Sequence, residues 1–265
     1  MRKSLTLFLC LLLLLGLCLW AHWGNTALML TQHTVPSAQL PESFDGFQIA
    51  HVSDLHNTEL DRGNQQLLRA LTRAEPDMIA ITGDLVDSWH DDFEVARSFI
   101  REAVNIAPVY YVPGNHEVIP EYEALKEFLL AAGVFVLEDE SMLFHKGQEA
   151  ITISGLRDPD FGYPLPDLAE ETYQILLSHR PELIDYYTRQ GFELVLSGHA
   201  HGGQFRLPFI GGLVAPNQGF FPKYDAGRFD EDNTTMIVSR GVGNSIIPLR
   251  INNPPELVVV ELKRQ

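Results

Sequence analysis

An unbroken apolar run opens the chain. Leu5 to Trp23 holds nineteen residues without a charge, interrupted only by Gly16 and His22, behind Met1-Arg2-Lys3-Ser4. As a helix this run spans about 28 Å, close to one bilayer core. From residue 47 the pattern changes to short apolar runs alternating with helical spacing. Phe47–Val52, Met78–Thr82 and Pro108–Val112 read as strands. Leu67, Leu68 and Leu71, then Phe93, Val95, Ala96, Phe99 and Ile100, then Tyr122, Leu125, Phe128 and Leu129, mark helices between and after them. A β-α-β-α-β-α start predicts parallel strands with right-handed crossovers. Leu28 to Val35 predicts an edge strand before them, and Pro36, Pro41 and Gly46 punctuate the stretch between.

The middle of the chain differs. Val134–Leu137, Met142–His145 and Ala150–Ser154 follow one another closely and read as an antiparallel meander. Tyr173–Ser178 and Phe192–Ser197 are further strands, with a helix over Pro181–Arg189 whose proline suits a first turn. Residues 207–234 are rich in Gly, Pro and Phe and have no clean period, as expected of a functional or mobile loop. Thr235–Ser239 and Glu256–Leu262 close the chain as strands.

The opening run is either a signal anchor or a signal peptide. Trp20, His22 and Trp23 leave no small-x-small cleavage site, and Cys18 follows Leu17 rather than a small residue, so an anchor is the favoured reading. Residues 1–26 then form the anchor with a short tether, and residues 27–265 one domain. Arg2 and Lys3 before the run leave the domain outside the cytoplasm by the positive-inside tendency; secretion after cleavage is the alternative.

Charge narrows the function. The net charge is −16, and Arg2 and Lys3 are the only charges in the first 23 residues, so the remainder carries −18. That argues against broad nucleic-acid binding, which needs a positive footprint. An anionic substrate stays open, because bound cations reverse a local field. Both cysteines, Cys10 and Cys18, lie in the apolar run. The domain thus has no disulfide and no thiolate nucleophile, and any metal site must draw on His, Asp, Asn or Glu.

Those residue types collect at strand ends. The first strand ends in Ser53-Asp54-Leu55-His56, the second in Gly83-Asp84-Leu85-Val86-Asp87, the third in Gly114-Asn115-His116-Glu117. Two later strands end in His179 and in Gly198-His199-Ala200-His201-Gly202-Gly203. Each piece alone reads as a cap or a turn. Five sets at the carboxyl ends of five strands, where open α/β sheets bind ligands, are hard to explain as solvated loops.

In order and spacing these motifs resemble the calcineurin-like metallophosphoesterases, over roughly residues 30–265. Gly202-Gly203-Gln204 and Ser239-Arg240-Gly241-Val242-Gly243 look like an exported or membrane-anchored bacterial branch of that superfamily. The resemblance implies an α/β fold, a four-layer α/β/β/α sandwich of two mixed sheets. It implies two divalent or trivalent metal ions, among them Mn, Fe or Zn, with Asp54, His56, Asp84 and His201 on one, Asp84, Asn115, His179 and His199 on the other, and Asp84 bridging. It further implies attack of a metal-bridging hydroxide on phosphorus, with His116 assisting the leaving oxygen and Asp87 fixing the other nitrogen of that ring.

The phosphoprotein phosphatases of the superfamily carry arginine directly after the counterpart of Asp87. Ser88 stands there, which puts a phosphoprotein substrate in doubt. Arg240 and His90 are the candidate substrate contacts, while Arg157, His51 and His145 read as structural or surface. Expected partners are a phosphorylated small-molecule or lipid-linked substrate (phosphodiester, phosphomonoester or pyrophosphate) and the membrane, for a monomeric chain. Phe205, Phe209, Phe220 and Phe221 either meet an acyl chain or membrane, or pack in the core. The competing readings are a non-catalytic metal-binding envelope protein on the same fold and a cytosolic nucleotide phosphodiesterase with a peripheral tether.

Overall fold

The computed structural model describes residues 2–89, 92–244 and 248–265. The apolar run is one helix, α1 (Arg2–Thr26), and it leads within two residues into β1 (Met29–Ser37). There follow β2 (Gln48–Val52), α2 (Gln65–Ala74), β3 (Met78–Thr82), α3 (Glu94–Ala103), β4 (Val109–Val112), α4 (Tyr122–Ala131) and β5 (Phe135–Val136). The second half runs β6 (Glu140–Lys146), β7 (Glu149–Leu156), β8 (Gln174–Ser178), α5 (Ile184–Gln190) and β9 (Leu194–Ser197). Two small ribbons come next, β10 (Arg206–Leu207) with β11 (Gly211–Gly212), and β12 (Val214–Ala215) with β13 (Gly219–Phe220). The chain closes with β14 (Gly227–Glu231), β15 (Thr234–Val238) and β16 (Glu256–Arg264).

Two six-stranded sheets result, ordered β1-β16-β2-β3-β4-β5 and β14-β15-β9-β8-β7-β6. Both are mixed. The β16–β2 pair is the antiparallel member of the first sheet, and the β14–β15 and β6–β7 pairs are those of the second. Side-chain alternation explains why they stack. In β2, Ala50 packs toward the helices while Ile49 packs between the sheets. In β8, Ile175 and Leu177 face the first sheet while Leu176 faces the other way, against Ile184 and Tyr187 of α5. The outer helices supply matching stripes, as with Ala96, Phe99, Ile100 and Ala103 on α3, spaced for one helical face. The layers are therefore helices α2–α4, first sheet, second sheet and α5, the four-layer sandwich that the resemblance implies.

Two expectations need correction. The strand at 134–137 does not join a meander: Phe135-Val136 pairs with β4 in parallel, in the first sheet, and only β6 and β7 form an antiparallel pair. The chain crosses between sheets at Leu137-Glu138-Asp139, and apolar runs close in sequence do not record which sheet each enters. Residues 207–234 also hold more order than their lack of period implied, with the two ribbons and β14 inside them.

Candidate metal centre

The polar strand ends converge on one edge of the sandwich, where the two sheets meet. Asp54 N–H donates to Gly83 O (3.1 Å) and His56 N–H to Asp84 O (2.9 Å), which locks the loop after β2 to the loop after β3. Gly198 N–H donates to His179 O (3.2 Å), tying the loops after β8 and β9. His199 N–H donates to Asp54 Oδ1 (3.1 Å) and joins the two sheets. The loops are tight. Asp54, His56, Asp84, His199 and His201 all hold left-handed backbone, with φ between 47° and 65°. Non-glycine residues in that region are uncommon and concentrate where the surrounding structure imposes a geometry.

Gly198 is the closest approach. A Cβ there would fall on Ser53 Oγ and on the Asp54 carboxylate. Gly198→Ala is therefore expected to lower stability by roughly 1–3 kcal/mol through overpacking, read as a lower thermal midpoint. An unchanged midpoint would mean that the Asp54 loop has slack to move.

Two groups of side chains could each hold a cation. Asp54, His56, Asp84 and His201 offer ligand atoms within 4.8 Å of one another, as do Asp84, His179 and His199, and all six residues are buried. Asp84 belongs to both. Its Oδ2 lies 3.1 Å from His179 Nε2 and 3.5 Å from His56 Nε2, while its Oδ1 accepts the His116 N–H at 2.9 Å. Asn115 stands between Gly114 and His116 on the loop after β4, and its Oδ1 is buried with no hydrogen-bond partner among the described residues. An orphaned amide oxygen is an atom that a bound cation can satisfy.

The rings are oriented from behind. His179 Nδ1 donates to Thr82 O (2.8 Å), which turns Nε2 toward Asp84. His199 Nε2 donates to Asn217 Oδ1 (2.8 Å), which leaves Nδ1 facing His179 Nε2 at 3.1 Å. Arg180 holds that same Asn217 oxygen at 2.7 Å and is anchored by Asp158 through two contacts of 2.5 and 2.8 Å. Glu117 braces the loops below. Its buried carboxylate accepts N–H groups of Asp84 (2.9 Å), Gly114 (2.6 Å) and Val86 (3.2 Å).

Charge is divided unevenly. Burial pushes Asp54 up to about 6, partly opposed by His179. Burial also pushes Asp84 up, but the charge and hydrogen bond of His179 outweigh it and hold the group well below the usual carboxylate range. Burial lowers His179, yet Asp84 and Asp54 together raise it to about 10. Burial depresses His56 to about 4 and His199 to about 3. Burial, with the charge of Asp84, also raises Glu117 to about 8, and without a cation His179 holds its proton against Asp84 Oδ2 at 3.1 Å. A cation bound there competes with that proton.

His116 belongs to neither group. Its ring stands edge-on to His56 at 4.6 Å. The hydrogen bonds that reach its Nδ1 come from Ser88, through N–H at 3.2 Å and Oγ at 3.3 Å, where Asp87 was expected. Asp87 instead accepts the Trp89 N–H at 2.9 Å, a local turn, and its charge acts on His56. Arg240 flanks the site, next to Gly241 against Asp54, with its guanidinium toward Glu256 at 3.8 Å. His90 lies outside the described residues. Arg157 pairs with Asp139 at 2.9 Å and stacks on Tyr163, and His51 is a core residue bonded to Thr82 Oγ1 at 2.7 Å. Glu117 stands in the third strand-end motif without a role, and Asn217, Arg180 and Asp158 are not among the sequence candidates. Asp158 and Arg180 follow the carboxyl ends of β7 and β8, so the strand-end rule that found the histidines applied to them too.

Comparison with known proteins points to one family. The family model of the calcineurin-like phosphoesterases matches residues 47–203. The chain is 30% identical over 245 residues to the uncharacterized metallophosphoesterase YkuE of Bacillus subtilis (88% of this chain, 85% of that protein). It is 27% identical over 225 residues to phosphodiesterase YaeI of Escherichia coli (82% of each). It is also 28% identical over 252 residues to a transmembrane protein with metallophosphoesterase domain of Danio rerio (87% of this chain, 56% of that protein). The chain belongs to the calcineurin-like phosphoesterase family and is a metal-dependent hydrolase of phosphoric esters.

Proposed function

We propose that the chain is a membrane-anchored phosphoesterase working through a dinuclear centre. Asp54, His56, Asp84 and His201 would hold one cation, and Asp84, Asn115, His179 and His199 the other. The observation that carries this reading is the sharing of Asp84 between two buried ligand groups; Asn115, next to the His116 N–H that bonds Asp84, has a buried Oδ1 without a partner among the described residues. When bound, such a pair of cations neutralises phosphoryl oxygens and makes a coordinated water nucleophilic at neutral pH.

The chain's own residues do the rest. Ser88 N–H donates to His116 Nδ1, so the neutral ring carries its proton on Nε2. The neutral ring can hydrogen-bond the departing ester oxygen through Nε2–H; to give up that proton it must first take a second one on Nδ1, where Ser88 Oγ at 3.3 Å can turn to accept it. Asp87 adds negative charge beside His56, and Arg240 on the flanking loop is the candidate cation for a distal part of the substrate. Thr82 O and Asn217 Oδ1 keep His179 and His199 in the tautomers that ligation needs.

Anchoring is supported by α1. Within it, Phe8–Thr26 is long and apolar enough to cross a membrane, and none of its residues is fully buried, only its last turn meeting the domain. Arg2 and Lys3 ahead of it favour an extracytoplasmic domain.

Chelator-treated protein is expected to lose turnover of aryl phosphodiesters, monoesters and lipid-linked pyrophosphates alike. Mn, Zn, Fe and Mg added back singly, with bound metal measured in parallel, should restore it at two ions per chain. Full activity at one ion per chain would sink the dinuclear reading. The ester restored to the highest kcat/KM identifies the substrate class.

A further inference from the structure

The ribbons that follow the metal centre carry an apolar surface that the centre does not use. Phe209 stands fully exposed at the tip between β10 and β11, with Ile210 beside it. Phe220 and Phe221, 75% and 61% exposed, end the second ribbon. Phe205, by contrast, is half-buried and bridges to Ile251, so it belongs to the base. Phe209 and Phe221 hold left-handed backbone, with φ of 68° and 56°. That conformation is strained for a bulky residue, and here it presents the ring to the outside. Charge follows the same boundary. The chain is acidic, yet Gln204 to Tyr224 contains no Asp or Glu and has Arg206 and Lys223 as its only charges. An anionic lipid surface would not repel such a stretch.

The base of these ribbons is also where α1 arrives. Arg250 N–H donates to Asn25 Oδ1 (2.8 Å), and Gln66 Nε2 donates to Thr26 O (2.8 Å), so the end of α1 is latched to the domain. The adjoining residues 249–252 hold the first ribbon. Arg206 N–H donates to Ile251 O (2.9 Å), Asn252 Nδ2 to Arg206 O (3.2 Å) and Gln204 Nε2 to Leu249 O (2.8 Å). Trp20 and Trp23 sit near the end of the apolar run, the place of interfacial anchors. Asn25 lies roughly 3–8 Å beyond them along the helix. A headgroup layer is itself about 5–8 Å thick.

We infer that the β10–β13 ribbons rest in the lipid surface of the membrane that α1 spans, with Phe209, Ile210, Phe220 and Phe221 entering its apolar boundary. The occupant of this surface is the bilayer, because the same few residues bind the end of the membrane helix and the root of the ribbons. Asn217, in the turn of the second ribbon, accepts the bond from His199. The ribbons therefore set the centre at headgroup height, where it meets phosphoesters lying in the membrane plane. The inference rests on the anchoring proposed above but not on the reaction.

The test uses the full-length chain in phosphatidylglycerol-containing nanodiscs, with Cys10 and Cys18 replaced by serine. Single nitroxides are placed by Phe209→Cys, Phe220→Cys and, as an aqueous control at the β6–β7 turn far from the site, Gln148→Cys. Turnover of a soluble aryl ester checks that each variant is folded. Labels at 209 and 220 are expected to collide several-fold more with oxygen than with a water-soluble nickel chelate, and the label at 148 the reverse. Labels at 209 and 220 that behave like 148 would overturn the inference. Poor access to both reagents would also overturn it, showing that a second copy or another protein covers the face. Protein recovered free of the discs would overturn the anchoring reading as well, a result distinguishable from the other two.

Discussion

Asp84→Asn is expected to leave the sandwich folded and to remove both metals and phosphoester turnover together. Asp84 alone joins the two ligand groups. One oxygen faces His179 and His56 while the other is held by the His116 N–H. Asparagine keeps the shape but replaces one acceptor oxygen with an NH2 group, which has no lone pair for a cation. It also removes the charge that holds the proton on His179 in the metal-free pocket. Loss of an orienting group behind a ligand typically costs 10–100-fold in metal affinity or activity, so loss of a shared ligand should exceed about 100-fold. Bound metal by mass spectrometry and kcat with an aryl phosphodiester read the two effects separately. A variant that keeps two metals and full turnover sinks the bridging role. A variant that keeps one metal would mean that the groups bind independently.

The parts of this site that were legible in the sequence share one property. Asp54, His56, Asp84, Asn115, His179, His199 and His201 are polar residues directly after apolar strands, so the break in hydrophobic pattern marks each of them. The structure brings their side chains to one edge because β2, β3 and β4 run parallel in one sheet and β8 and β9 in the other, and the His199 N–H bond to Asp54 joins the two sets of ends. Asn217 had no such mark, since it sits in an aperiodic stretch and acts through His199 rather than as a ligand. Ser88 was read for the arginine it replaces, but its contribution here is a backbone N–H, which no residue type announces.

The fold divides along the same line. In β8, Ile175, Leu176 and Leu177 are all apolar because both faces are covered, and such a run is easy to find. In β14, Gly227-Arg228-Phe229-Asp230-Glu231 forms an edge whose Arg228–Asp230 pair faces solvent, and its mostly polar sequence carries no apolar signal.

His116→Ala is expected to do what Asp84→Asn does not: keep the metals and lose the chemistry. The ring belongs to neither ligand group, and the bond it shares with Asp84 comes from its backbone N–H, which alanine retains. Removing a positioned proton donor typically lowers turnover by about 10²–10⁴-fold. The size should depend on what leaves. A nitrophenolate departs without a proton, so an activated aryl ester should lose about tenfold or less. An alkyl alcohol needs the proton in the transition state and should carry the full loss. That contrast separates proton donation from mere packing against His56, because a distorted His56 would slow both esters alike and lower metal content. Equal losses on the two esters with metal retained would make His116 an electrostatic rather than a proton-donating group. Loss of metal would place it among the ligands.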